Sequence, residues 1–181
     1  MTNLEKLKAL GACYDSRDWA RSRSGEPARR LYEECSRADW LVWLAARVGV
    51  EPALVMEAVC ACVEACRLPA SEVLAVAWAL DVGRRSVRGG VSSEESQAAL
   101  DALRYPLTSS YAFEAAQHVA RSTRVRPDNL LWRNDLSSAA YFAGHGTNAV
   151  DIVREVIPWK VVKARAGVVL ALTRLKEKTY E

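Results

Sequence analysis

No stretch of the 181 residues reaches the run of roughly 18 apolar residues that a membrane span needs. The opening MTNLEKLKAL alternates charge with leucine and holds no apolar core of secretion-signal length. Alternating β-branched residues are nearly absent, so a sheet has little to be built from. A phosphate-cradling glycine loop is missing, and no Ser or Cys signature stands beside His145, so an enzyme using His145 is the third and last reading. A dominant charge is missing too. Lys and Arg number 25 against 22 Asp and Glu, and a net charge of +3 falls short of the basic concentration of a dedicated nucleic-acid binder. The five cysteines are odd in number and three crowd one segment, which fits reduced cytosolic thiols better than a disulfide framework. Internal repeats and low-complexity linkers are also lacking. The expectation is a soluble, cytoplasmic, single α-helical domain spanning 1–181, without a cofactor or metal.

What is present is apolar spacing of three and four residues along the whole chain. It predicts an all-α, compact domain of about eight to ten helices. The first runs from about Leu4 to Cys13, and a short helical turn follows around Asp18-Trp19-Ala20. A helix opening at Pro27 ends near Cys35. Ser36 is expected to cap the next, with Asp39 three residues on, and Gly49 to close it as a left-handed residue. Pro52 opens another, ending before Leu68. Ser71 caps one that stops at Gly89-Gly90, Ser92 starts one stopped by Tyr105-Pro106, and Ser110 to Ser122 forms the next. Residues 135–143 are helical up to the break at Gly144-His145-Gly146. Thr147 caps a helix ending before Pro158, and the last runs from Trp159 to about Lys178. By composition RSTRVRPDN, residues 121–129, is the least ordered stretch.

The densest feature is CSRADWLVWLAARVG, residues 35–49. At 100° per residue Trp40, Trp43, Leu44 and Arg47 share one side, with Val42 and Ala46 opposite. A helix apolar nearly all round is expected to be buried, so Trp40, Trp43, Leu44 and, from a later helix, Trp78 are assigned to the core. The alternative is a ligand groove lined by Trp40 and Trp43. Arg47 is expected to stack on an indole or reach past it to solvent.

Metal binding by the cysteine cluster fails on geometry. Cys60 and Cys62 lie about 160° apart on a helix, so they read as small buried hydrophobes. His118 reads as a solvated partner of Glu114, and His145 as part of a glycine-flanked helix break. Three basic groups remain. Arg84, Arg85 and Arg88 end one helix, Arg121, Arg124 and Arg126 fall in the flexible connection, and Lys160, Lys163, Arg174 and Lys178 form the polar stripe of the last helix.

CSRADWLVWLAARVG resembles the signature of the Imm-five-like group of bacterial immunity-type proteins, in which an R-x-D-W-L-x-W-L core follows a cysteine. The alanine-rich EAVCACVEACRLPA and the tryptophan-arginine helix AVAWALDVGRRSVRGG follow in the same order, and the pattern departs after Leu68, where the next segment is reduced to LPASEV. The resemblance implies an all-helical, non-catalytic protein that neutralises a toxin or acts in bacterial or phage conflict. The expected partner is thus a protein, a toxin or defence component, engaged through Arg84, Arg85 and Arg88 or through Arg121, Arg124 and Arg126. Nucleic-acid association through the same arginines is the second reading.

Overall fold

The computed structural model describes residues 2–104, 110–145 and 147–167, and all regular structure among them is helical. In chain order the helices are α1 (Asn3–Ala9), α2 (Tyr14–Ser22), α3 (Ala28–Glu34), α4 (Ala38–Arg47), α5 (Pro52–Glu64), α6 (Val73–Ser86), α7 (Ser93–Ala102), α8 (Tyr111–Ser122), α9 (Leu130–Gly144) and α10 (Ala149–Val156). An eleventh, α11, opens at residue 159 and is described through 167. That is one more than the range expected from the sequence. The surplus is α2, nine residues long, where the polar run YDSRDWARS suggested only a turn. Tertiary contact supplies what propensity lacks there: the Trp19 ring sits edge-on against Trp40, with centroids 6.0 Å apart.

Local chemistry sets most helix ends. Thr2 and Glu5 form a capping box. The hydroxyls of Ser92 and Ser110 accept the backbone N–H of Glu95 and Phe113 at 3.1 and 3.2 Å, satisfying donors that a first turn otherwise leaves open. Gly49 adopts φ +78°, and Val50 N–H returns to Ala45 O at 3.0 Å, a Schellman closure with buried Val50 behind it. Three expected caps are displaced by one residue. Arg37 rather than Ser36, Glu72 rather than Ser71 and Asn148 rather than Thr147 occupy the N-cap positions, and none of the three makes a side-chain cap bond. Helix α9 begins five residues before 135, because Asn129 Oδ1 caps it by accepting Leu131 N–H at 2.9 Å.

Helices α8 and α9 form the most extensive pairing, and they run antiparallel: His118 meets Asp135 while Tyr111 meets His145. On the far side of α9 lies α4, where the Ser137 hydroxyl donates to Asp39 O at 3.0 Å. On the far side of α8 lies α6. The centre is α5, which touches α4, α6, α8, α9 and α10. Its Val55, Met56, Ala58, Val59, Cys60, Cys62 and Val63 are fully buried. The tryptophan helix α4 is therefore a neighbour of the central helix and not itself the centre.

Alanine dominates these contacts. Ala45, Ala58, Ala79, Ala115, Ala116, Ala139 and Ala140 have no exposed surface. On α4 the buried side is Ala38, Leu41, Val42, Ala45 and Ala46, opposite the tryptophans, so Trp40, Trp43 and Leu44 are only half-buried at the core's margin. Trp78 also leaves the expected core. It lies across the α6 wheel from Val76, Leu80 and Gly83 and is 38% exposed. Of the tryptophans only Trp132, at 2% exposed, is buried. A small-residue face admits a neighbouring helix closely, and an indole on that face would hold it off.

Gly83 gives a direct measure of that closeness. A Cβ built there would stand 2.6 Å from Val119 Cγ1 on α8 and 3.2 Å from Met56 Sδ on α5. Gly→Ala inside a helix ordinarily stabilises by about 1 kcal/mol. Here the stiff Val119 side chain cannot yield, so Gly83→Ala is expected to destabilise by about 1–3 kcal/mol in denaturant titration. Pairing it with Val119→Ala should recover part of that loss.

Candidate functional site

The stretch from Arg37 to Arg47 stands between two cavities, one on each flank of α4. On the tryptophan side, Trp40, Trp43 and Leu44 face Leu7 of α1, Trp19 of α2 and Trp159 of α11 around a nearly wholly apolar cavity of about 130 Å³. Tyr32 also lines it. Its ring tilts against Trp159 at 5.6 Å, and its hydroxyl donates to Ile157 O at 2.5 Å; burial pushes its pKa up to about 12. The Arg23 and Arg37 guanidiniums lie 4.7 and 4.9 Å from the Trp19 and Trp40 ring centroids. Arg47 neither stacks nor reaches outward. Its Nε donates to Leu10 O at 2.6 Å, tying α4 to the end of α1.

On the other flank lies a polar cleft of about 510 Å³ lined by Arg37, Asp39, Tyr141, His145 and Arg154 among others. Its charges are largely spent internally. Arg37 makes a two-pronged pair with Asp39 at 2.8 and 2.7 Å, which holds the guanidinium in its charged form. Arg154 donates to Cys35 O at 2.7 Å and to Tyr32 O at 3.4 Å, satisfying carbonyls at the end of α3. His145 is exposed but sandwiched, with Tyr111 stacked at 4.7 Å and Tyr141 edge-on at 4.8 Å. His118 does not pair with Glu114. Its Nδ1 lies 3.1 Å from Asp135 Oδ1, linking α8 to α9, and its ring stacks on Phe142.

Among the described residues no group of three or more His, Cys, Asp or Glu is arranged to hold a metal ion. Cys60 and Cys62 are fully buried, and burial pushes both thiols up to about 12. The Cys62 thiol lies 3.5 Å from Ala149 O and that of Cys66 3.4 Å from Cys62 O, so backbone carbonyls are their partners. All five cysteines are free thiols.

The arginine clusters separate sharply. Arg84, expected as an exposed binding residue, clamps two carboxylates of α5: Nε and Nη2 reach Glu57 at 2.8 and 3.0 Å, and Nη1 and Nη2 reach Glu64 at 2.6 and 2.9 Å. Arg85 pairs with Asp81 at 2.8 Å and Glu95 at 2.5 Å, bridging α6 to α7. Of that set only Arg88 is exposed. Arg121, Arg124 and Arg126 are all exposed and have no ion-pair partner among the described residues. They cluster at the turn of the α8–α9 hairpin, where Leu130 and Leu131 open α9 at 60% and 59% exposure. The two leucines went unnoticed in the sequence because they sit within a run that reads as loop. Arg133, also missed, is half-buried; burial, then nearby Arg47, pulls its pKa down, and its Nε has no hydrogen-bond partner among the described residues. Lys160 and Lys163 of the last stripe are exposed, while Arg174 and Lys178 lie outside the described residues.

The Arg84 clamp carries a pH signature. Its hydrogen bonds hold Glu57 below the usual carboxylate range, and a carboxylate with a depressed folded pKa contributes stability above its unfolded pKa that is lost as pH falls through the folded one. Because the carboxylates are about half exposed, Arg84→Met is expected to cost only about 1 kcal/mol at neutral pH. Denaturant titration across pH should show this penalty shrinking in acid. By contrast, Arg124→Met should change stability by less than about 0.5 kcal/mol at any pH.

Compared with protein-family models, with curated proteins and with solved structures, the chain finds no match.

Proposed function

We propose that this chain is a non-catalytic protein-binding factor and that the turn of the α8–α9 hairpin is its contact surface. The observation that carries this reading is the coincidence there of Arg121, Arg124 and Arg126, none ion-paired among the described residues, with exposed Leu130 and Leu131. Arginine beside exposed apolar side chains is the composition of an interface core, since the guanidinium pairs with carboxylates and stacks on rings. The partner this surface suits is acidic, with an apolar patch between its carboxylates. The paired state of Arg84 and Arg85 removes them from the contact, because binding there would first have to break bonds already made. The resemblance of CSRADWLVWLAARVG to immunity-type proteins makes a toxin or defence component the first partner to try. Nucleic acid is the second reading, favoured only by the same exposed arginines.

The two readings differ in what the leucines and salt do. For a protein partner isolated on the wild-type chain, Arg124→Glu/Arg126→Glu and Leu130→Ser/Leu131→Ser are each expected to weaken binding by at least about tenfold at unchanged Tm, on the scale of a binding hot spot. Binding should survive nuclease treatment. A steep fall in affinity with salt, together with indifference to the leucine pair, would transfer the surface to nucleic acid.

A further inference from the structure

Arg133 lies one helical turn on from Leu130 in α9, and one turn before Ser137, whose hydroxyl donates to Asp39 O of α4. Residues spaced by three and four share a helix face, so Leu130, Arg133 and Ser137 follow one another along the flank of α9 that meets α4. At the last residue of α4 stands Arg47, fixed by the bond from its Nε to Leu10 O. Two arginines thus meet where the ends of α1 and α4 approach the start of α9, next to the hairpin turn.

Arg133 is half-buried, and its Nε is withdrawn from solvent with no hydrogen-bond partner among the described residues. A guanidinium in such a position ordinarily finds a carbonyl or a carboxylate, because a polar group taken from water without a partner costs stability. Burial, and then the positive charge of Arg47, hold the Arg133 pKa below the ordinary guanidinium range; Asp128 opposes both without forming an ion pair. Neither Arg47 nor Arg133 is ion-paired among the described residues. An unspent cation kept in a partly dry position suits an anion that arrives from outside. Leu130 beside it, 60% exposed, favours a polypeptide carboxylate over a phosphate backbone, since Asp and Glu side chains bring apolar neighbours with them. We infer, resting on the protein-binding reading above, that Arg133 anchors the contact, its Nη edge taking one Asp or Glu side chain of the acidic partner beside Leu130.

The probe is a hexaglutamate peptide added to the full chain at constant ionic strength, with oligothymidylate as the phosphate comparison. Arg133→Met keeps the aliphatic stem and removes the charge. The guanidinium has no internal partner to lose, so the free variant should melt no lower than wild type. Hexaglutamate should bind it about tenfold more weakly, the scale of a charge-assisted hydrogen bond. A lowered Tm or a lost fold in Arg133→Met would show that the guanidinium is spent on the fold, and would overturn the inference. So would hexaglutamate binding that is absent from wild type or equal in Arg133→Met, or a stronger dependence on Arg133 for oligothymidylate than for hexaglutamate. Arg124→Glu/Arg126→Glu tests the hairpin turn separately. If that variant loses hexaglutamate and Arg133→Met does not, the anchor fails and the turn stands; the reverse outcome would sink the turn and leave the anchor.

Discussion

Close approach of helices over alanine is the constraint on which the rest of the structure depends. Helix α5 is enclosed by five others, and the faces turned toward this centre carry alanine, valine and, at Gly83, no side chain at all. Such faces leave little volume for an indole. Trp19, Trp40, Trp43 and Trp159 are consequently displaced to the margin beside the short amino-terminal helices, and Trp78 is exposed on α6. An aromatic cavity is the direct consequence of a small-residue interior: what cannot enter the centre forms a second apolar layer around it, and that layer packs less completely.

Electrostatics divides along the same lines. Where helices must be held in register around the alanine centre, arginines are consumed. Arg84 links α6 to α5, Arg85 links α6 to α7, and Arg154 ties α10 to the end of α3. Such bonds contribute less to net stability than to fixing which residues face each other, since desolvation offsets much of the attraction. At the α8–α9 turn no carboxylate among the described residues pairs with the arginines, and Leu130 and Leu131 open α9 largely exposed. A surface that is both basic and apolar is the one on which the proposed partner contact rests.

The sequence made the helical class and many element ends legible because these are local. Ser92, Ser110, Gly49 and the break at Gly144 act through residues within one turn of themselves. The wheel of α4 was equally legible; which of its two sides faces the interior was not. Both are apolar, and hydrophobicity alone favoured the tryptophans, whereas the decision rests on the width of the gap left by α5 and α9. The same holds for Trp78, whose apolar character says nothing of what stands opposite. Arg84 shows the limit most clearly, because its partners Glu57 and Glu64 lie 27 and 20 residues away on another helix. Only the i,i+4 pair Asp81–Arg85 of that cluster is visible in one dimension.

The account turns on which side of α4 is interior, and residue-resolved oxidative footprinting of the native protein reads that directly. Trp19, Trp40, Trp43, Trp78 and Trp159 are expected to be modified in the folded state, while Trp132 stays protected until the chain unfolds. Protection of Trp40 and Trp43 equal to that of Trp132 would mean that the tryptophan side is the core after all, and would contradict the alanine-centred packing from which the cavity follows.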